Sequence, residues 1–413
     1  MSSSSVSASA PPVRSGSAPR PRICHLAKYY PPHRGGIESH VQNLARAQTE
    51  LGADVEVVCV DHSVLPSRDI LGRAISGCVT STEWDGPIRV TRVGRVANLS
   101  GLDLCPMLPG LLRDLAERFE ILHLQTPNPT MLLPLAALSS HARLVITHQS
   151  DVIRQRGLRR LLRPAQDRVY RRAASILCSS PAYADGSDLL RCYEHKLEVL
   201  PLGIDLRSYL DPSPGALEHA ARLRERFPGP RWLAVGRLVY YKGHEVALRA
   251  LAHVEGRLLV AGVGPLEREL RLRSRELGIS ARVAWLGEVE HEELVGAYLG
   301  ATALWFPSNQ RSEAFGLAQV EAMASGCPVI NTAIPFSGVP WVCPHEEAGL
   351  TVPVNDPLAL ARAAQRLLNE PGLRERLSAG ARANASARFD HVRMGLRSLE
   401  LYQCASSPAE VSQ

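Results

Sequence analysis

Residues 22–36 read Arg-Ile-Cys-His-Leu-Ala-Lys-Tyr-Tyr-Pro-Pro-His-Arg-Gly-Gly, a short apolar run that ends in a loop rich in proline and glycine. Beyond it Ile37, Val41, Leu44 and Leu51 recur at helical spacing, Gly52 supplies the stop, and residues 55–60 form another apolar run. Strand, glycine loop, helix and strand in that order make a βαβ unit. The alternation continues outward. Residues 120–124, 143–147 and 175–178 read as buried strands, and 196–205 as a strand running into a turn. Residues 206–230 carry several prolines and no strand pattern, which predicts a linker. The pattern then restarts, with strands at 231–236, 257–261, 282–287, 303–307 and 328–331 and a helix at 245–251. Two series of about 180 residues predict an α/β protein of two doubly wound domains, 22–205 and 206–385. Ligands of such sheets sit outside the carboxyl ends of the strands, so chemistry is sought in the loops that follow them.

The chain of 413 residues has the length of two such domains. Hydrophobic residues make up 45% and charged residues 21%, an ordinary globular balance. A net charge of +6 is too mild to argue for nucleic acid, and no aromatic-rich basic repeat supports it. The longest apolar run, 131–138, contains Pro134 and is far shorter than the roughly twenty residues of a membrane span. None of the nine cysteines stands three residues from another, which disfavours a zinc ribbon or redox dithiol and fits reduced core thiols. Residues 1–21, rich in Ser, Ala, Pro and Arg, read as a disordered tail without a secretory core, so a cytoplasmic location is expected.

Four loops carry candidate chemistry. Only Lys28, Lys196 and Lys242 are lysines, and Lys242 falls in the loop Gly236-Arg237-Leu-Val-Tyr-Tyr-Lys242-Gly243. Two cations five residues apart, with glycines that admit close backbone approach, suit a diphosphate; a solvated turn with two surface cations is the plainer reading. The second is Glu313-Ala-Phe315-Gly316-Leu317-Ala-Gln-Val-Glu321, with Gly326 as the helix stop. A helix starting at 314–317 aims free N–H groups at an anion. Glu321 then lies roughly 6–8 Å further along the axis, so the two carboxylates could hold the two sugars of a nucleotide sugar. Glu313 could equally be a helix-dipole partner and Glu321 a solvated helix residue.

Gly35 and Gly36 precede a helix and can approach a phosphate, although such pairs are also common in tight turns. The strand at 143–147 delivers His148-Gln149-Ser-Asp151 at its carboxyl end, with His123 and Asn128 as weaker candidates after the preceding strand. The run Ala261-Gly-Val-Gly264-Pro265 has Glu267 where a dinucleotide fingerprint needs its third glycine, which disfavours a nicotinamide dehydrogenase. Residues 154–172 hold eight arginines, one acidic residue and leucines or valines at 158, 161, 162 and 169, interrupted by Pro164. That basic amphipathic stretch suits an anionic lipid surface or an anionic acceptor, or is a solvated face.

Taken together these residues resemble the retaining glycosyltransferases of family 4, with the two-domain GT-B fold, over about residues 22–400. The most specific element is the E-x7-E signature Glu313–Glu321, followed by Ala-Met-Ala-Ser-Gly-Cys-Pro-Val-Ile. Gly35-Gly36-Ile-Glu38, Val-Gly236-Arg237-Leu with Lys242-Gly243, and Pro-Leu-Gly-Ile-Asp205 accompany it in order. The resemblance implies two Rossmann-like domains facing across a cleft, the first on the acceptor side and the second binding the donor. It makes 386–413 a helix crossing back to the first domain, with a tail. Arg237 and Lys242 would hold the donor diphosphate, and Glu313 would meet hydroxyls of the transferred sugar. The amides of Phe315, Gly316 and Leu317 would close on the donor, and Glu321 would bind the ribose. Gly35 and Gly36 would approach from the opposite domain, and His148 would touch the sugar near the reacting carbon. The base would lie near Gly262 to Pro265, which includes Gly264, and Leu286-Gly287, largely against backbone, and Gly236 would meet the donor beside Arg237.

Retention through front-face attack would let the donor phosphate accept the acceptor proton, and the lack of any Asp-x-Asp agrees with metal-independent binding and no cofactor. The stretches 147–155 and 331–341 resemble members that build cell-surface polysaccharides, several of which use GDP-mannose. The expected reaction is therefore mannosyl transfer from GDP-mannose to a glycan or lipid-linked acceptor, at the inner face of the cell membrane. A UDP-sugar donor, a sugar-nucleotide epimerase and a catalytically silent binding protein are the alternatives. The family that the chain resembles has His-Ser-Asp where this chain reads His148-Gln149-Ser-Asp151, so the inserted Gln149 is expected to separate Asp151 from its role beside His148.

Overall fold

The computed structural model describes residues 20–33, 35–62, 79–99, 101–151 and 156–404, with side chains from 160 onward in the last segment. The first domain contains β1 (Arg22–Leu26), β2 (Asp54–Val60), β3 (Ser81–Asp85), β4 (Ile88–Val93), β5 (Ala97–Leu99), β6 (Leu102–Leu104), β7 (Ile121–Thr126), β8 (Arg143–His148), β9 (Ser175–Cys178) and β10 (Leu197–Val199). Eight of these form one sheet, in the order β10-β9-β8-β7-β1-β2-β4-β3, and β5 pairs with β6 in a separate hairpin. Only β3 in the larger sheet runs antiparallel to its neighbour. The second domain contains β11 (Arg231–Val235), β12 (Arg257–Ala261), β13 (Val283–Gly287), β14 (Ala303–Phe306), β15 (Val329–Thr332) and β16 (Gly349–Val352). They form a wholly parallel sheet in the order β13-β12-β11-β14-β15-β16.

Helices cover both faces of such sheets, so central strands are buried along their whole length rather than on alternate residues. All six residues of β7 and all four of β14 and β15 are buried. In the second domain Trp232 of β11 and Trp305 of β14 stack 5.1 Å apart across the paired strands. Strand order reverses between β1 and β7 in one sheet and between β11 and β14 in the other. Those switch points open a crevice at the carboxyl ends of the strands.

Several elements differ from expectation. Residues 206–230 are no linker: they fold into helices Arg207–Leu210 and Pro214–Arg226. Ser213 caps the longer one through the Ala216 amide, Pro214 occupies its first position, and Ala216, Ala220 and Leu223 bury one face. That face lies against helix His291–Gly300 so closely that a Cβ on Gly296 would stand 2.7 Å from the Ala216 carbonyl oxygen. Pro164 does not interrupt the basic stretch, because one helix runs through it from Arg156 to Arg172. Strands β3 to β6 and β16 carry no sequence expectation. The expected tail falls almost wholly on residues 1–19, outside the described residues.

Helix His391–Cys404 returns to the first domain and packs on helix Gly36–Glu50. Buried polar groups join them: Gln48 donates to Ser398 Oγ at 2.8 Å and Tyr402 Oη at 3.0 Å, and its carbonyl oxygen meets His25 Nε2 at 2.7 Å. Tyr402 Oη lies 2.7 Å from His123 Nδ1, whose other nitrogen lies 2.7 Å from Thr147 Oγ1. Burial lowers His25 to about 4 and His40 to about 3, and it drives His123 well below its usual range, aided by His25 and His40. These imidazoles are neutral when folded and take up protons on unfolding below pH about 6.5.

Because the unfolded chain then binds more protons, stability falls as pH drops from 6.5 towards 4. Each such imidazole removes about 1.4 kcal/mol per pH unit. His244, lowered to about 4 by burial and by Lys242, adds to the trend, and Glu321, raised by burial, opposes it with one group against four. The thermal midpoint is expected to fall steadily between pH 6.5 and 5, and a flat or rising midpoint would refute the assignment.

Candidate active site

Strands β11 and β14 pair directly, so the loops at their carboxyl ends lie side by side. Gly236 follows β11 at φ +130, and Tyr240–Lys242 makes one tight turn. Gly243 then opens helix His244–Leu251 in the left-handed region at φ +66. No side chain fits at Gly243, because a Cβ would stand 2.0 Å from the Pro307 carbonyl oxygen of the β14 loop. Lys242 folds back past Gly236 and places Nζ 2.6 Å from Glu313 Oε2. Ser308 Oγ donates to the same oxygen at 3.2 Å. Both side chains of the pair are largely withdrawn from water, at 15% and 11% exposure. Arg237, by contrast, is exposed and has no side-chain partner among the described residues.

The helix after Glu313 begins at Leu317, at the late end of the expected 314–317 window; residues 314–316 are not helical. The reason is Gly316, whose φ of +82 is left-handed and whose Cβ would stand 2.7 Å from Phe306 Cζ. The Phe315 side chain belongs to the core, with ring centroids 5.5 Å from Phe389 and 6.4 Å from Trp341, so only its backbone can serve a ligand. Glu321, one turn into the helix, is partly buried and accepts a hydrogen bond from Tyr298 Oη at 2.7 Å. Burial raises its carboxyl, against the Tyr298 hydrogen bond and the charges of His291 and Lys242. Tyr298 and Ser308 escaped the sequence reading because neither lies in a glycine loop or charged pattern; the pairing of strands and helices brings them in.

Gly236, Gly264 and Leu286 come together through laced backbones. Gly236 N donates to the Ala261 carbonyl at 3.0 Å, Leu238 N to that of Val263 at 3.0 Å, and Gly262 N to that of Gly287 at 2.6 Å. A Cβ on Gly264 would stand 2.6 Å from the Leu238 backbone nitrogen and oxygen. Leu286 is half-buried against the core behind them.

In the first domain Gly35 and Gly36 are exposed at the start of helix Gly36–Glu50, and a Cβ on Gly36 would meet nothing within 4 Å. His148, at the end of β8, is buried with both ring nitrogens occupied: Nδ1 lies 2.8 Å from Tyr170 Oη and Nε2 3.1 Å from Asp151 Oδ1. Carboxylates only accept, so Nε2 carries the proton and Nδ1 accepts from Tyr170. Neither nitrogen is therefore open to a sugar hydroxyl while these bonds last. Gln149 does not detach Asp151 from His148; it is buried and donates to Gln125 Oε1 at 2.9 Å. His123 is fully enclosed in the network described above, and Asn128 caps helix Pro129–Ala137 through Oδ1.

The basic stretch divides in two. Residues 152–155 lie outside the described residues. Within the helix Leu162, Val169 and Tyr170 face inward, while Arg160, Leu161, Arg163, Arg168 and Arg171 face out, Leu161 at 77% exposure.

Known proteins resemble this chain in sequence and fold. Residues 34–208 match the model of the family described as Glycosyltransferase Family 4, and residues 220–384 the one described as Glycosyl transferases group 1. The chain is 32% identical to a D-rhamnosyltransferase of Pseudomonas aeruginosa, over 89% of this chain and 91% of that protein. It is 27% identical to an O-antigen chain mannosyltransferase of Escherichia coli, over 90% and 95% respectively. Among solved structures, an Anabaena protein in complex with UDP superposes with a TM-score of 0.73 at 19% identity, covering 93% of this chain and all of that one. Sucrose-phosphate synthase from Thermosynechococcus elongatus does so with 0.71 at 22% identity, over 94% of this chain and all of that one. These likenesses establish the GT-B fold.

Gly316→Ala adds a Cβ to a left-handed position already closed by Phe306. It is expected to cost about 1–3 kcal/mol of stability, read from urea unfolding. An unchanged midpoint would mean that the loop tolerates the strain.

Proposed function

The chain belongs to the family 4 and group 1 glycosyltransferases, and from that membership we propose that it transfers mannose from GDP-mannose, with retention, onto a glycan or lipid-linked acceptor in polysaccharide biosynthesis. The observation that carries the reading is the 2.6 Å pairing of Lys242 with Glu313, which joins the lysine of one glycine loop to the first carboxylate of the E-x7-E signature. A nucleotide sugar presents a diphosphate beside a ring of hydroxyls, and this pair offers a cation and an acceptor at one point. On donor binding Lys242 exchanges the carboxylate for the diphosphate, joined by the bidentate fork of Arg237. Glu313 is then free to accept from sugar hydroxyls, while Glu321, its Oε2 tied to Tyr298, offers its other oxygen to the ribose.

As the glycosidic bond breaks, negative charge grows on the diphosphate, where two fixed cations stabilise it more than they stabilise the ground state. The departing phosphate oxygen takes the proton of the attacking acceptor hydroxyl on the same face of the sugar, which retains configuration without a dedicated base. Charge neutralisation by Arg237 and Lys242 leaves no role that requires a metal ion. The manno configuration of the sugar is supported by the two relatives, because rhamnose is 6-deoxymannose. The outward arginines around Leu161 would rest on the anionic inner face of the cell membrane, where a lipid-linked acceptor is held. No helix among the described residues is long and apolar enough to cross a membrane.

Calorimetry with GDP, UDP and ADP, without added metal, tests the donor: GDP is expected to bind best, and a preference for UDP would discard mannose. Lys242→Ala should weaken binding of the preferred nucleotide by about 1.5–3 kcal/mol, the worth of hydrogen bonds to a charged group; unchanged affinity would remove Lys242 from the site. Replacing Arg160 and Arg163 by Gln should reduce sedimentation with anionic vesicles and leave nucleotide binding intact, whereas undiminished sedimentation would return those arginines to a solvated face.

A further inference from the structure

Arg311 stands two residues before Glu313, in the loop after β14, and reaches the other domain. Its Nη1 donates to Asp151 Oδ2 at 2.6 Å, Nη2 to the Tyr183 carbonyl at 2.7 Å and Nε to the Phe336 carbonyl at 2.9 Å. The guanidinium carbon lies 4.0 Å from the centroid of the Tyr183 ring. Asp151 and Tyr183 belong to the first domain and Phe336 to the second, so one side chain is bonded on both sides of the cleft. Asp151 spends its other oxygen on Ser187 Oγ at 2.9 Å and on His148 Nε2 at 3.1 Å. A single carboxylate therefore connects His148 to the loop that bears Glu313.

The backbones meet at the same place. A Cβ on Gly186 of the first domain would stand 2.3 Å from Phe336 Cβ, and one on Gly338 of the second would stand 2.7 Å from Ser180 Oγ. Phe336 itself sits at φ +53, a left-handed conformation uncommon for a bulky residue. Burial alone would raise the Asp151 carboxyl; His148, Ser187 and Arg311 together hold it down at about 2. With side chains only 22% and 19% exposed, Asp151 and Arg311 form a partly dry pair, and removing one member leaves a charge without its partner. The three acceptors lie in different directions, which suits the planar fork of arginine and not the point charge of lysine.

We infer that Arg311 is a positioning residue that sets the two domains in register, holding the cleft wall of the first domain, where Asp151 fixes His148, at a set place relative to Glu313 of the second. The inference deepens the transferase reading and rests on it. The side chains proposed to hold the diphosphate and ribose, namely Arg237, Lys242 and Glu321, lie in the second domain, and the first would add only the backbone of Gly35 and Gly36. Binding of the free nucleotide therefore draws little on the contact, whereas the reacting sugar, which lies between the domains, depends on it. An error of about 1 Å in such placement can cost on the order of a hundredfold in rate.

The test compares the full chain with Arg311→Gln, Arg311→Lys, Asp151→Asn and the Asp151→Asn/Arg311→Gln double variant. Turnover is read as nucleotide release from whichever of GDP-mannose, UDP-glucose and ADP-glucose the parent protein uses, at saturating donor. Both single variants without charge are expected to lose about tenfold or more in kcat. Their dissociation constants for the free nucleoside diphosphate should stay within about twofold, and the double variant should be no worse than either single one. Arg311→Lys should recover part of the rate. Unchanged kcat, a nucleotide affinity that falls in step with kcat, or additive losses in the double variant would each overturn the inference. Small-angle scattering reads the same contact without turnover: Arg311→Gln should enlarge the radius of gyration. If the parent protein turns over no sugar nucleotide, the transferase reading fails, and an unchanged radius in Arg311→Gln would then overturn the positioning role as well.

Discussion

The ammonium of Lys242 and the carboxylate of Glu313 lie 2.6 Å apart with little of either left in water, and the proposed donor site is arranged around that contact. Two partly buried charges of opposite sign are tolerated because each answers the other; separately, each would have to be exposed or neutralised. The pair exists because β11 and β14 are hydrogen-bonded neighbours, although some seventy residues of chain separate them. Glycine at 236 and 243 lets the two loops close on each other, one by giving the lysine stem a path and the other by admitting the Pro307 carbonyl. A ligand that brings its own anion can take the lysine over without either charge being stranded.

The first domain supplies something different. Its groups at the cleft are neutral or mutually satisfied: His148 lies between Tyr170 and Asp151, and Asp151 is compensated by Arg311. The charges proposed for binding are thus concentrated in the second domain, and the first would contribute placement. The C-terminal helix enforces the same division, since Ser398 and Tyr402 enter the buried polar chain of the first domain through Gln48 and His123. The segment that finishes the second domain so becomes part of the first domain's interior.

Much of the fold is legible because parallel strands buried on both faces leave largely apolar runs, as at 258–261 and, interrupted by His25 and His123, at 23–26 and 121–124. Edge elements left no such trace. Strand β3, Ser81–Asp85, is exposed along nearly its whole length and reads as polar loop, and β4 carries arginines at 89 and 92 within its apolar residues. Helix Pro214–Arg226 reads as a linker because two prolines stand at its threshold, although Ser213 and Pro214 are a helix start. At the site, Lys242, Glu313 and Glu321 were visible as charged residues set among glycines or apolar neighbours.

The sequence by itself determined the two doubly wound domains, the family, and the residues whose types suit a diphosphate and sugar hydroxyls, because each of those properties is carried by local spacing. Tertiary structure alone decided which of them meet. It joined Lys242 to Glu313, gave Glu321 its Tyr298, enclosed both nitrogens of His148, and brought Arg311 across to Asp151, 160 residues earlier in the chain. The reason is geometric: a hydrogen bond requires its atoms within about 3 Å. Only the pairing of strands and the docking of one domain on the other bring residues so distant in sequence to that range.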